Sequence, residues 1–110
     1  MTVNDLINNS QLEVIHAGDV DAEITTPYCC DLLSVAMGNA PAGCAWCTVM
    51  ANMNTLAVAS LADCACIILC SGVNADDNMK LKAVSQDLTL LRTDQAIFDM
   101  ALEVYNQIHA

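Results

Sequence analysis

Cysteine offers the widest chemistry in this chain: there are seven, and two of them form the CxxC sequence Cys44-Ala45-Trp46-Cys47. Zinc sites and thiol redox proteins use this spacing, and a redox CxxC normally begins a helix whose N-terminus lowers a thiol pKa. This motif instead leads into a strand-like stretch, where residues three apart point to opposite faces. We therefore interpret the cysteines as reduced core residues. The alternative is a cysteine-based metal-binding or redox protein.

Three further cysteines, Cys64, Cys66 and Cys70, are separated by even numbers of residues. Because side chains alternate along a strand, they are expected to line up along one face of it. A zinc ion bound there would need a fourth ligand. The two histidines, His16 and His109, are far away in sequence. No metal site and no cofactor are therefore predicted.

An acid and a hydroxyl, Asp31 and Ser34, are close in sequence but have no histidine beside them. Asp31 is instead expected to cap the helix that begins there, since aspartate is common at a helix N-terminus. The chain contains neither Gly-x-x-x-x-Gly-Lys nor Gly-x-Gly-x-x-Gly, the sequences that cradle nucleotide phosphates. No catalytic residue is predicted and the chain is not expected to be an enzyme, although an enzyme using Asp31 and Ser34 is a lesser alternative.

Loops that follow the predicted parallel strands are the expected place for a ligand, because such sheets bind ligands beyond the carboxyl ends of their strands. The candidate ligand-binding residues are Asn52, Asn54, Ser71, Gly72, Arg92 and Thr93. Arg92 is the only cation among them, is expected to be exposed, and would recognise a carboxylate or phosphate. Helix caps and turns explain the asparagines equally well.

The segment from Ala45 to Gly72 carries several of these residues and is predicted to be a strand–helix–strand unit. Ala45–Met50 favours a short strand, and Asn52 or Asn54 can cap the helix that follows. Ala65–Cys70 is apolar at every position, as in a central parallel strand covered on both faces. The apolar face predicted for the helix consists of Met53, Leu56, Ala57 and Leu61.

The remaining elements alternate between helices and strands. Before the central unit we predict a helix capped by Thr2, a strand at Leu12–Ile15, an extended segment at Ile24–Cys30 and a helix at Ser34–Asn39. After it we predict a helix opening at Asn74–Asp77 with Met79, Leu81, Ala83 and Val84 on its apolar side, a strand at Leu88–Leu91, and a helix from Gln95 capped by Asp94. This order predicts one small α/β domain over residues 1–110, with a mainly parallel β-sheet and helices packed on it.

The last predicted helix carries two apolar stripes. One consists of Ile97, Ala101, Val104 and Ile108, and the other of Phe98, Leu102 and Tyr105. Such a wide apolar arc indicates contact with the sheet on one side and with a further surface on the other. The simplest further surface is a second copy of the chain, so a homodimer is expected with Phe98, Leu102 and Tyr105 at its interface.

The charge of the chain limits its partners. With 13 acidic and 3 basic residues the formal net charge is −10, which disfavours binding to nucleic acid and to anionic membranes. No stretch of about 18 apolar residues is long enough to span a membrane. The first ten residues have neither the basic start nor the apolar middle of a signal peptide, so a cytoplasmic location is expected.

Taken together, the chain resembles stand-alone DRTGG-domain proteins, and the resemblance covers nearly its whole length. The residues that carry it are Asp31–Ser34, Asn39-Ala40, Met53-Asn54, Ala57–Leu61, Ile67-Ile68, and the series Thr93, Phe98, Leu102 and Tyr105. Such domains are similar to the N-terminal, non-catalytic domain of HPr kinase and accompany CBS domains in larger proteins. The Asp-Arg pair that names the family is missing here, where Ala51-Asn52 stands in its place.

This resemblance implies a fold like that of the HPr kinase N-terminal domain. It also implies a non-enzymatic regulatory or interaction module that self-associates and senses a small ligand or a protein partner. Together with the charge, it leads us to expect a homodimer that binds neither nucleic acid nor membrane.

Overall fold

A five-stranded sheet with strand order β1-β5-β4-β3-β2 forms the centre of the molecule, as seen in a computed structural model that describes residues 1–110. The strands are β1 (Glu13–His16), β2 (Thr26–Cys29), β3 (Cys44–Thr48), β4 (Cys66–Leu69) and β5 (Leu90–Arg92). The helices are α1 (Val3–Asn9), α2 (Leu33–Asn39), α3 (Met53–Ala62), α4 (Asp77–Gln86) and α5 (Ile97–Ile108). Strands β2 to β5 are parallel and β1 is antiparallel to β5, which confirms the predicted α/β class.

Two hydrophobic cores lie on opposite faces of this sheet. Helices α1 and α5 cover one face, while α2, α3 and α4 cover the other. Every residue of β3 and β4 is buried, because both faces of these central strands are covered. The alternation of side chains sends Ala45 and Cys47 to the α1–α5 side, and Cys44 and Trp46 to the opposite side. The two cysteines of the CxxC sequence therefore lie in different cores.

The apolar face predicted for α3 is right at Leu56, which is fully buried, and wrong at the other three residues. Met53 and Leu61 are 48% and 78% exposed, and Ala57 is exposed as well. The buried face consists of Thr55, Leu56, Val58 and Ala59. The buried face thus combines Leu56 with smaller side chains, and Met53 and Leu61 at the two ends of the helix point away from the sheet.

Helix α4 follows its predicted pattern in part. Met79 and Ala83 are buried against the sheet, whereas Leu81 and Val84 are 68% and 57% exposed. On a helix, positions four apart share a face, so Met79 and Ala83 define the inner side and the other two lie beside it.

Helix α5 buries the first of its two predicted stripes. Ala101 and Val104 are in the core, and Ile97 and Ile108 pack against it. The predicted cap is wrong: Ala96 occupies the N-cap position without a side-chain hydrogen bond, and Asp94 lies two residues before it. No helix of the structure has the length and apolar content needed to cross a membrane.

Candidate functional site

The carboxyl ends of the four parallel strands lie along one edge of the sheet, and the six predicted ligand-binding residues follow three of these ends. They fall into two groups. Asn52 and Asn54 follow β3. The second group consists of Ser71 and Gly72 after β4, Arg92 as the last residue of β5, and Thr93 directly after it. Hydrogen bonds join Asn52 to Asn54, and Gly72 to Thr93 and Arg92, while none connects one group to the other.

The first group builds the N-terminus of α3. The side-chain oxygen of Asn52 accepts hydrogen bonds from the backbone N–H groups of Asn54 and Thr55, at 2.9 and 3.3 Å. Asn52 is therefore the N-cap, as one of the two interpretations predicted. The Thr55 hydroxyl adds a second tie by donating to the Met50 carbonyl at 2.7 Å.

The second group interlocks the loops after β4 and β5. The N–H of Ser71 donates to the Gln95 carbonyl at 2.7 Å, and the N–H of Gly72 donates to the Thr93 carbonyl at 3.1 Å. Ser71 and Gly72 have φ angles of 58° and 74°, so this turn uses the left-handed region that favours glycine. Both N–H groups are used inside the protein and do not point to an open anion site.

Arg92 serves this same joint, which corrects the expectation that it is exposed. Its side chain is only 20% exposed. Its Nε donates to the Val73 carbonyl at 2.9 Å, and one terminal nitrogen donates to the Gly72 carbonyl at 2.7 Å. Glu13 and Asp94 lie 3.6 and 3.5 Å from the guanidinium. The fork geometry of arginine thus fastens β5 to the loop after β4.

A polar cavity of about 280 Å³ is lined in part by Arg92. Its lining includes residues that the sequence prediction missed. Lys80 of α4, Asn74 and Glu13 contribute its polar groups. Glu13 arrives there because β1 is antiparallel and pairs Glu13 with Arg92. An edge strand of four residues carries no sequence signal for its partner, so this contact was not predictable. With two cations and one carboxylate, the cavity suits a small anion.

Asp31 has a different role from the predicted helix cap. Its carboxylate accepts a hydrogen bond from the buried Thr48 hydroxyl at 2.7 Å and one from the Val49 N–H at 3.0 Å. Leu32 is the N-cap of α2 and makes no side-chain capping bond. Asp31 therefore ties the end of β2 to the end of β3, and its carboxylate makes no hydrogen bond to Ser34.

The cysteines do not line up as predicted. Cys66 and Cys70 share the α1–α5 core, but Cys64 precedes β4 and packs with the opposite core. The Cys44 thiol donates a hydrogen bond to the Cys64 sulfur, with the sulfurs 3.3 Å apart. No group of three or more His, Cys, Asp or Glu side chains is arranged to hold a metal ion.

A second set of thiols follows the carboxyl edge across β2, β3 and β4. Cys29 is exposed on the edge strand, and Cys47 and Cys70 are buried behind it. A hydrogen bond from the Cys47 thiol lowers the pKa of Cys29 to about 7. Burial raises the pKa of Cys66, farther along β4, to about 12. Within this set, Cys29 is therefore the thiol that combines exposure with a low pKa.

The predicted interface stripe lies open on the surface of α5. Phe98, Leu102 and Tyr105 are 71%, 43% and 50% exposed. The Tyr105 ring contacts the His109 imidazole, with ring centroids 4.1 Å apart. Beside the stripe, one side-chain oxygen each of Glu103 and Gln107 is buried without a hydrogen-bond partner.

Comparison with known proteins found no family model that matches this chain and no curated protein with significant sequence similarity to it.

Proposed function

We propose that this chain is a non-enzymatic, cytoplasmic regulatory module of the DRTGG type that acts by binding a second copy of itself through α5. One observation carries the proposal: α5 buries one apolar stripe in the core and leaves Phe98, Leu102 and Tyr105 exposed. A row of apolar side chains over two turns of a helix is costly to leave in water.

The spacing of the stripe suits a two-fold interface. Phe98 and Tyr105 lie four and three residues on either side of Leu102. When two copies of α5 pack antiparallel about an axis at Leu102, Phe98 of each copy meets Tyr105 of the other. Aromatic pairs of this kind contribute more than their buried area alone.

The groove beside the stripe also suits a partner. Asp99, Leu102, Glu103, Asn106 and Gln107 line an open cavity of about 480 Å³. Asn106 and Gln107 are polar and lie beside the apolar Leu102, which suits the polar rim of an interface.

Light scattering after size exclusion tests this interface. Phe98→Asp places a charge in the stripe, and we expect it to convert a dimer to a monomer while circular dichroism stays unchanged, because Phe98 is 71% exposed. The matched control is Leu61→Ser, at an equally apolar position that is 78% exposed on the opposite face of the sheet. If Leu61→Ser dissociates the dimer and Phe98→Asp does not, the interface lies on the α3 side of the sheet, and the proposal is contradicted.

The cavity beside Arg92 supports a second function within the same module, the sensing of a small anion. Lys80 lines this cavity, while Lys82 on the same helix does not. We expect citrate or inorganic phosphate to raise the Tm of the wild type and of Lys82→Ala, and to leave that of Lys80→Ala unchanged. An equal rise in both lysine variants would contradict a site in this cavity.

A further inference from the structure

We propose that Cys44 and Cys64 are a peroxide-sensitive pair that closes to an intramolecular disulfide. This inference is independent of the proposed self-association, because the pair lies at the amino edge of the sheet and the α5 stripe takes no part in it. The two sulfurs are 3.3 Å apart, so they have to approach by about 1.3 Å to form a bond.

Two backbone hydrogen bonds hold the segments that carry Cys44 and Cys64 side by side. The N–H of Gly43 donates to the Asp63 carbonyl at 2.8 Å, and the N–H of Ala65 donates to the Cys44 carbonyl at 2.9 Å. The first bond joins the residues just before the pair, and the second joins Cys44 to the residue after Cys64. Because the two segments run side by side and the two sulfurs are 3.3 Å apart, closure needs little movement of the backbone.

The two thiols have unequal access, which assigns their roles. Cys44 is fully buried at the start of β3, whereas Cys64 is partly exposed and lines a cavity of about 190 Å³. Cys64 is therefore the thiol that reacts with an oxidant, and Cys44 is the buried thiol that then forms the disulfide with it. The hydrogen bond from Cys44 stabilises the Cys64 thiolate and lowers its pKa.

The cavity favours a small, uncharged oxidant. Asp19, Asp63 and Asp87 contribute to its lining. Their carboxylates repel anionic disulfides such as oxidised glutathione, and a volume of about 190 Å³ is small for such a molecule. Hydrogen peroxide is neutral and small, so it reaches the Cys64 sulfur.

The chemistry proceeds in two steps. The Cys64 thiolate attacks one oxygen of hydrogen peroxide; an S–O bond forms, the O–O bond breaks, and the departing hydroxide takes a proton from solvent to become water. The Cys44 sulfur then attacks the Cys64 sulfenic acid as the Cys44 proton leaves. The S–S bond forms, the S–O bond breaks, and the leaving hydroxide becomes water with that proton. Two thiols lose two electrons, and one peroxide is reduced to two waters.

Closure would lock the turn after α3 onto the beginning of β3. The cross-link encloses β3, α3 and the turn between Cys44 and Cys64, and a closed loop of this size restricts the unfolded chain. We expect the oxidised protein to have a Tm about 10 °C above that of the reduced protein.

Peptide mapping after treatment of the full chain with limiting hydrogen peroxide tests the inference. The expected result is a loss of two hydrogens and a cross-linked peptide pair containing Cys44 and Cys64, reversed by dithiothreitol. Cys30→Ser is the matched control, since that partly exposed thiol lies in another part of the fold and its loss should leave the cross-link intact.

Two variants separate the steps. Cys64→Ala should abolish the cross-link, and Cys44→Ala should leave a Cys64 sulfenic acid that dimedone traps. A cross-link mapped to Cys29 and Cys47 in the wild type would overturn the inference. So would a Cys64 that is oxidised to sulfinic acid while Cys44 keeps its thiol, and these wild-type results do not depend on how the variants fold.

Discussion

At the scale of single residues, substitution of Arg92 is expected to reduce the stability of the protein. It is mostly buried and donates to the carbonyls of Gly72 and Val73. We expect Arg92→Ala to lower the free energy of unfolding by about 2 kcal/mol, because hydrogen bonds to a charged group are lost and two carbonyls lose their partner. Urea denaturation measures this change.

Arg92→Lys is the control for charge, since it keeps the positive charge and loses the fork that reaches two carbonyls. It should recover less than half of the lost stability. An Arg92→Ala protein as stable as the wild type would contradict the role given to this side chain.

Cys29 is the thiol expected to react first with an alkylating reagent, because it is exposed on the edge strand. Because the Cys47 thiol holds the pKa of Cys29 at about 7, its alkylation rate should rise with pH to a midpoint of about 7 and level off above it. Cys47→Ala removes the hydrogen bond, so the midpoint should move toward the ordinary thiol value of 9.0. Mass spectrometry of iodoacetamide-treated protein follows each cysteine separately. A midpoint that does not move in Cys47→Ala would show that Cys47 has no such effect.

Residue roles were only partly predictable from the sequence. The Asn52 cap follows from local geometry, because the bonded N–H groups are two and three residues away. Asp31 and Arg92 bind groups 17 to 20 residues away, at Thr48, Val49, Gly72 and Val73. Such partners depend on strand order and register, which short strands do not encode locally.

At the scale of the elements, the N-cap of α3 gives a direct test. Asn52→Ala should lower the free energy of unfolding by about 1 kcal/mol, because two N–H groups at the helix start lose their acceptor. Asn54→Ala is the matched control: Asn54 is exposed and its side chain makes no hydrogen bond, so little change is expected. Urea denaturation measures the free energy of unfolding of both variants. If it falls equally in the two, the loss of the Asn52 cap does not explain the decrease.

The elements themselves were easier to predict than their buried faces. The apolar strand predicted at Ala65–Cys70 appears as β4 with each end shifted by one residue, and the predicted helix begins directly after Asn52. The face of α3 was missed, apart from Leu56, because its inner side also uses Thr55, Val58 and Ala59 while Met53 and Leu61 are exposed. The size and apolar character of the side chains alone therefore did not identify the face of α3 that packs on the sheet.

At the scale of the whole molecule, charge opposes the association that the α5 stripe favours. Each copy carries a formal net charge of −10, so two copies repel one another. Salt screens this repulsion, with a Debye length of about 8 Å at physiological ionic strength. We therefore expect the dimer to become tighter as sodium chloride is raised, as measured by sedimentation at several salt concentrations. A dimer that weakens with salt would indicate an interface held by ion pairs instead of apolar contacts.

The α/β class of the molecule was predictable because two apolar strands and the helices between them dominate the pattern. The antiparallel pairing of β1 with β5 was not, since Glu13–His16 has only four residues and none of them is fully buried. That pairing matters for function, because it brings Glu13 to Arg92 and forms one wall of the polar cavity.

Sedimentation equilibrium of the reduced wild-type protein at micromolar concentration tests self-association most directly. One chain has a mass of 11.7 kDa, and the exposed stripe of Phe98, Leu102 and Tyr105 predicts a species of twice that mass. The dimer should persist at physiological salt and be lost in Phe98→Asp. A single species of 11.7 kDa at every concentration and salt would contradict the proposal that this module works as a pair.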